Sequence, residues 1–189
     1  MAKTYSSRDR SMPADALVIF GVTGDLAYKM IFPALYAMAR RGNLDVPVVG
    51  VAMKKLSLAQ LRKLVRDSVR QAGKVEDRGA LDHLLSLLRY VSGDYNDPHT
   101  FEALSETLGD VSRPAHYLAI PPHSFATVIN GLGVAGLAEQ GRVIVEKPFG
   151  RDLASARELN ETCAVRVSGG FDLPYRPLSR KGGDHEYLY

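Results

Sequence analysis

Short, wholly apolar runs alternate along the chain with stretches whose apolar residues recur every three or four positions. The first run is Ala16-Leu17-Val18-Ile19-Phe20, and a helical pattern follows from residue 25 to about residue 40. Leu26, Met30, Ala34 and Met38 recur four apart there and predict one buried face. Arg40-Arg41-Gly42 reads as the helix end, cations on the negative pole followed by a C′ glycine. Pro33 lies inside this helix and predicts a kink, because it removes a hydrogen bond at a cost of roughly 3 kcal/mol. The second run is 46–52, "VPVVGVA". Ser57 and Gln60 then form a capping box ahead of the stripe Leu58, Leu61, Val65, Val69. Asp97-Pro98 marks another helix start, a cap with proline at the first helical position. Further strands are predicted at 115–120, "AHYLAI", and 142–146, "RVIVE". Strands alternating with helices predict an α/β fold: a doubly wound parallel sheet with helices on both faces. Ligands of such sheets bind at the carboxyl ends of the strands. Three segments leave strand ends in a way that suits this: "GVTGDLA" (21–27), "IPPHS" (120–124) and "EKPFG" (146–150). From about residue 166 the apolar period is lost, and the glycine- and proline-rich remainder reads as coil.

Composition narrows the class. The 189 residues suffice for one well-buried domain and the beginning of a second. The net charge of +3 is small and its basic residues are scattered, so nucleic acid is not an expected partner. No apolar stretch approaches the ~20 residues of a membrane span, and residues 1–15 form a polar arm without the apolar core of a signal peptide. Cys163 is the sole cysteine, and no cysteine or histidine cluster has metal spacing. A soluble cytoplasmic protein with no membrane partner and no metal is expected.

The loop after the first strand, G-x-x-G-x-x-A, suits a phosphate cradle. Gly21 permits a tight turn out of the strand, Gly24 lets backbone approach a pyrophosphate, and Ala27 is small enough for close packing of helix on sheet. Free N–H groups and the positive helix end would hold the phosphates. Asp25 would repel them, so its side chain is expected to turn away and bond locally to backbone. A plain strand-to-helix turn is the alternative. An NAD site has an acid at the end of the second strand, bonding the ribose 2′-hydroxyl. Here that strand ends "VAMKKLS", so Lys54 and Lys55 favour the 2′-phosphate of NADP, with Thr23 as a further hydroxyl donor, unless both lysines are merely solvated. In "EKPFG", Lys147 can place one cation beside an anionic substrate and the bond before Pro148 can be cis; a surface ion pair and turn is the bland reading. His83 sits in an apolar helix and reads as a residue on the boundary between its buried and exposed faces. His99 and His116 fall at a helix start and a strand start, and His123 follows Pro121-Pro122 where it can border the cofactor.

Taken together, "VIFGVTGDLAYKMIFPALY", "VVGVA", "SGDYND", "HYLAIPPHSF" and "RVIVEKPFGRDLASARELN" resemble the glucose-6-phosphate dehydrogenase family, in its order and over roughly residues 16 to 160. The resemblance implies a Rossmann-like coenzyme domain. It also implies NADP-dependent oxidation of glucose 6-phosphate at C1 to 6-phosphogluconolactone, the first step of the oxidative pentose phosphate pathway. Gly21, Val22, Thr23, Gly24, Asp25, Leu26, Lys54, Pro121, Pro122 and Lys147 would border the cofactor, and Lys147 would also contact substrate. The family carries arginine after "GVA" to hold the 2′-phosphate. This chain has Met53 there and Lys54 one residue on, a point charge in place of a guanidinium fork.

The family's phosphate-binding segment and its general-base histidine, which belong to a second β+α domain through which it homo-oligomerises, are not found in the remaining residues. Residues 173–187 can, however, be encoded so that the string read one base later gives Y-R-I-D-H-F-L-G-K-E-A-I-M-N, a family-like segment. The sequence therefore predicts a polar arm at 1–15, a dinucleotide-binding domain at 16–162, and an out-of-frame tail without a fold of its own at 163–189. The reading frame is expected to change between about residues 161 and 166. The chain as written is expected not to turn over glucose 6-phosphate. A non-catalytic dinucleotide-binding module or a pseudogene product is the alternative to an enzyme.

Overall fold

The computed structural model describes residues 13–145. It contains five strands, β1 (Ala16–Phe20), β2 (Val48–Ala52), β3 (Leu88–Ser92), β4 (Pro114–Leu118) and β5 (Arg142–Val145). All are parallel to their neighbours, in the order β3-β2-β1-β4-β5. The helices are α1 (Phe32–Arg40), α2 (Leu58–Ala72), α3 (Arg78–Leu87), α4 (Pro98–Leu108) and α5 (Phe125–Val134). This is the doubly wound α/β architecture that the alternation predicts. β2 is buried along its whole length and β1 at all but Leu17, which is why both read as continuous apolar runs rather than alternating ones.

The sheet divides the interior into two cores. Ile19, Val48 and Leu88 face α1, α2 and α3, where Phe32, Leu61, Val65 and Leu84 are fully buried. Val18, Phe20, Val49 and Val51 face α4 and α5, where Leu104, Val128, Ile129 and Leu132 are fully buried. Each such side chain contributes about 1.5–3 kcal/mol of transfer free energy. The chain winds outward from β1 through β2 to β3, then crosses back to β4 and β5. The reversal lies between β1 and β4, and there two neighbouring strands send their following loops to opposite faces of the sheet.

Local signals set several boundaries as the sequence predicts. Ser57 and Gln60 form the reciprocal capping box of α2, and Asp97 caps α4 through the His99 N–H with Pro98 in the first turn. Gly42, with φ of 69°, follows Arg41, the C-cap of α1. Three expectations are corrected. Strand β3 has no counterpart in the sequence reading, because Arg89 and Ser92 on this edge strand are exposed and break its apolar pattern. The row Met30, Ala34, Met38 faces solvent, and the buried face is the adjoining Ala27, Ile31, Phe32, Leu35, Tyr36. Both rows are apolar, so spacing alone does not choose between them, and the row with the bulkier groups buries more surface.

The third correction concerns Pro33. Instead of a kink at the proline, a widened π turn spans Ala27–Ile31, and Pro33 falls in the first turn of α1. The Phe32 N–H donates back five residues to the Ala27 carbonyl. In that register the Tyr28 carbonyl would face the nitrogen of Pro33, which has no proton. The Ser68 hydroxyl of α2 donates to this carbonyl instead, and Ser68 is 1% exposed. Ser68→Ala is therefore expected to lower stability by about 1–3 kcal/mol, the cost of a buried unpaired acceptor. Urea denaturation measures it. The control is Ser86→Ala, whose exposed hydroxyl donates to the His83 carbonyl at 2.7 Å; equal losses in the two variants would contradict the assignment.

Candidate dinucleotide site

At the end of β1, Gly21 continues the ladder by donating its N–H to the Val51 carbonyl at 2.9 Å. Its φ of 78° then turns the chain out of the sheet. A Cβ at this position would lie 2.2 Å from the Ala119 carbonyl oxygen, because the end of β4 passes directly alongside. Gly21 is thus forced to be glycine twice, by its backbone conformation and by close approach at the winding reversal. Val22 turns inward, 1% exposed, onto Gly50 of β2, where a Cβ would lie 2.7 Å from a Val22 methyl. The Gly24 N–H closes a tight turn on the Gly21 carbonyl at 2.9 Å, and the Tyr28 N–H donates to the Gly24 carbonyl at 3.0 Å. Helical bonding starts at that point, so the amides of Asp25, Leu26 and Ala27 occupy the first turn and have no partner within the helix. Ala27 is fully buried against the sheet, as a small third residue allows.

Asp25 does turn away, but to Lys29 and not to backbone. Its carboxylate meets the Lys29 ammonium at 2.9 Å on the solvent side, with the aspartate side chain 90% exposed. The negative charge that argued against an anion at this helix end is therefore paired and directed outward. Across the seam, the strand-end segment after β4 runs through Ala119 and Ile120 to Pro121 and Pro122, both exposed, and a single turn of 3₁₀ helix, Pro122–Ser124, carries His123. Past β2, Met53, Lys54 and Lys55 are exposed. No ion pair involves either lysine among the described residues. The Lys54 carbonyl accepts from the Tyr90 hydroxyl and, at 3.4 Å, from Ser92 on the edge strand. Burial raises the Tyr90 pKa above its ordinary range, so that hydroxyl is a neutral donor.

Since β1, β2 and β4 are adjacent and parallel, residues 21–26, 53–55 and 121–123 share the carboxyl edge of the sheet. The glycine cradle, the free first-turn amides, the small Ala27 and the outward-paired Asp25 all fit a pyrophosphate. No acid stands beside Lys54 to bond a ribose hydroxyl. A cavity bounded by Val111, Pro114, Leu137 and Gln140 opens at the other edge, by the amino end of β4, and holds none of these groups. Lys147 and Pro148 lie outside the described residues, as do the polar arm to residue 12, Cys163 and the tail.

Among the other histidines, His83 lies in the middle of α3 with its side chain exposed, its Nε2 3.0 Å from the Leu44 carbonyl. His99 pairs with Glu102 at 2.8 Å on the surface, and His116 is wholly buried within β4. The described residues contain no cluster of three or more potential metal ligands, and no helix among them is long and apolar enough to cross a membrane. Sequence reasoning gave Tyr95 no role, although its segment "SGDYND" stands out. Its hydroxyl accepts the Gly21 N–H at 3.0 Å across 74 positions of sequence.

Residues 18–168 match the family model described as glucose-6-phosphate dehydrogenase, NAD binding domain. The glucose-6-phosphate 1-dehydrogenase 1 of Mycobacterium tuberculosis (strain ATCC 25618 / H37Rv) is 47% identical over 147 residues, covering 78% of this chain and 31% of that protein. The glucose-6-phosphate 1-dehydrogenase of Saccharomyces cerevisiae is 38% identical over 156 residues, covering 76% and 31% respectively. The crystal structure of glucose-6-phosphate 1-dehydrogenase from Mycobacterium avium superposes with a TM-score of 0.79 at 45% identity, over 82% of this chain and 34% of that one. A glucose-6-phosphate dehydrogenase in complex with glucose 6-phosphate gives 0.74 at 34% identity, over 84% and 36%. The chain thus spans about a third of the length of these relatives.

Proposed function

Because the chain belongs to the glucose-6-phosphate dehydrogenase family and runs over its NAD-binding domain, we propose that it binds NADP at the carboxyl edge of the sheet, as the coenzyme-binding part of an enzyme that oxidises glucose 6-phosphate at C1. The observation that carries this reading is the cradle at the winding reversal. Gly21 and Gly24 form the turn, and the amides of Asp25, Leu26 and Ala27 point outward from the first helical turn with no partner in the helix. Such amides, with the positive helix end, hold phosphate without a cationic side chain. Thr23 and Leu26 flank the cradle, Val22 anchors it by burial, and Pro121 and Pro122 border it from β4. NADP held there would supply the hydride acceptor for the oxidation.

Lys54 is proposed to meet the 2′-phosphate, its backbone held in place by the hydroxyls of Tyr90 and Ser92. Lys147, two positions beyond the last residue of β5, is proposed to serve the substrate as the family resemblance implies. The relatives are glucose-6-phosphate dehydrogenases, one of them solved with glucose 6-phosphate bound, and they supply the substrate class. A pentose phosphate role, a cytoplasmic location and assembly into homo-oligomers belong to the same proposal.

Calorimetric titration of the 189-residue chain with NADP and with NAD tests it. A charge-assisted hydrogen bond contributes roughly 1.5–3 kcal/mol, so NADP is expected to bind about 10- to 100-fold tighter if one lysine engages. Lys54→Ala should narrow that gap more than Lys55→Ala. Equal affinities for the two dinucleotides would remove Lys54 from the site, and no binding of either would remove the cradle.

A further inference from the structure

We propose that Tyr95 is a positioning residue for the dinucleotide cradle: its hydroxyl fixes Gly21 and so aims the amides that follow. The inference rests on the reading of residues 21–27 as that cradle. The Gly21 N–H is shared between the Val51 carbonyl at 2.9 Å and the Tyr95 oxygen at 3.0 Å. The Tyr95 hydroxyl in turn points to the Val51 carbonyl at 3.4 Å. One side chain from beyond β3 therefore bridges the ends of β1 and β2 at the residue where the backbone turns out of the sheet.

The tyrosine is itself held firmly. Its ring meets Phe20 edge-on, with centroids 5.8 Å apart and planes at 68°. The preceding Gly93 donates to the Ala52 carbonyl at 3.1 Å, and the Thr100 hydroxyl donates to the Asp94 carbonyl at 2.7 Å. The Asp94 carboxylate accepts the Asn96 N–H at 2.9 Å. Gly93 has no room for a side chain, since a Cβ would lie 2.1 Å from the Thr100 oxygen. Burial raises the Tyr95 pKa while the Gly21 bond opposes the rise, so the hydroxyl stays neutral and keeps the proton it directs at Val51. Phenylalanine would retain the ring contact and lose only the bridge. Gly21 would then keep one acceptor of two at the point that sets the direction of the loop.

The test is Tyr95→Phe in the full chain, titrated with NADP and with adenosine 2′-monophosphate. The second ligand offers the phosphate assigned to Lys54 and has no pyrophosphate. Losing one neutral hydrogen bond corresponds to roughly a 3- to 10-fold change. NADP is expected to weaken by that factor, with adenosine 2′-monophosphate within twofold of the wild-type value and the melting temperature little changed. Unchanged NADP affinity would overturn the proposal. So would equal weakening of both ligands, which marks a general structural defect. If the wild-type chain binds no dinucleotide, the cradle reading fails with it, and that failure shows before any variant is made. Should the variant not fold, exchange of the Tyr95 hydroxyl proton, followed by NMR in the wild-type chain, decides the matter. A Tyr95 hydroxyl proton that exchanges slowly with water supports the lock, and one that exchanges as fast as an exposed tyrosine's refutes it.

Discussion

Gly21→Ala is expected to destabilise the chain by about 3 kcal/mol or more and to abolish dinucleotide binding. Two costs add at this position. The φ of 78° is left-handed, and alanine gives up roughly 1–2 kcal/mol there. The new methyl would also sit 2.2 Å from the Ala119 carbonyl oxygen and 2.9 Å from an Ile120 side-chain carbon. The oxygen belongs to backbone that is itself bound into the sheet, with the Ala119 N–H on the Phe20 carbonyl at 2.9 Å. It cannot withdraw without parting β4 from β1. Gly42→Ala separates the two costs, because Gly42 has φ of 69° with nothing within 4 Å of an added Cβ. That variant should lose only the conformational part and should bind NADP as before. Urea unfolding and NADP titration of both proteins make the comparison. A Gly21→Ala chain as stable as Gly42→Ala would show that β4 can move aside, and that the seam is looser than its geometry indicates.

What could be read from the sequence divides by range. Signals carried within a few residues gave the caps at Ser57 and Asp97 and the glycine stop at Gly42. Strands buried on both faces, β1 and β2, left continuous apolar runs that need no tertiary information. The edge strand β3 left no such run, because half of an edge strand's environment is water and its residues need not be apolar. The pattern misplaces the buried face of the first helix for a related reason. Two adjacent apolar rows competed, and the outcome depended on the surfaces of α2 and α3 packed against it. At the site, the glycines and Lys54 could be found from spacing and position. Tyr95 could not, since its role exists only after β3 has been laid beside β2 and the hydroxyl reaches Gly21. The pairing of Asp25 was half legible. Repulsion from a phosphate predicts that it turns away, and Lys29 four residues on is the helical partner that receives it.

His116 is expected to make the fold acid-sensitive between pH 6.5 and about pH 4. The residue is fully buried in the middle of β4, paired to Val18 of β1 and Val143 of β5 in register. Its Nε2 lies 3.0 Å from the Leu137 carbonyl, which can only accept, so the proton is on Nε2. Nδ1 is left bare and buried, without a partner among the described residues. The Phe20 ring centroid lies 6.2 Å from that of the imidazole, and a Cβ on Gly141 would be 3.2 Å from Nε2, so the ring is closely packed. Burial lowers the pKa from 6.5 to about 4, with the Leu137 bond opposing weakly. In the unfolded chain the same imidazole takes up a proton near pH 6.5, while the folded chain resists until about pH 4. Over that interval the unfolded state holds more protons, so stability falls as pH falls. The full loss is roughly 3 kcal/mol, absent above the window and complete below it. Asp15, whose carboxyl is pushed up by partial burial but drawn further down by hydrogen bonds from Ser112 and Arg113, titrates below this interval and does not compete. His116→Gln keeps an N–H for Leu137 and cannot titrate. Urea unfolding of both proteins at pH 7 and pH 4.5 should show the wild type losing about 2–3 kcal/mol more than the variant. Parallel losses would mean that the imidazole is solvated or paired in the folded chain, and that β4 is not closed at its centre.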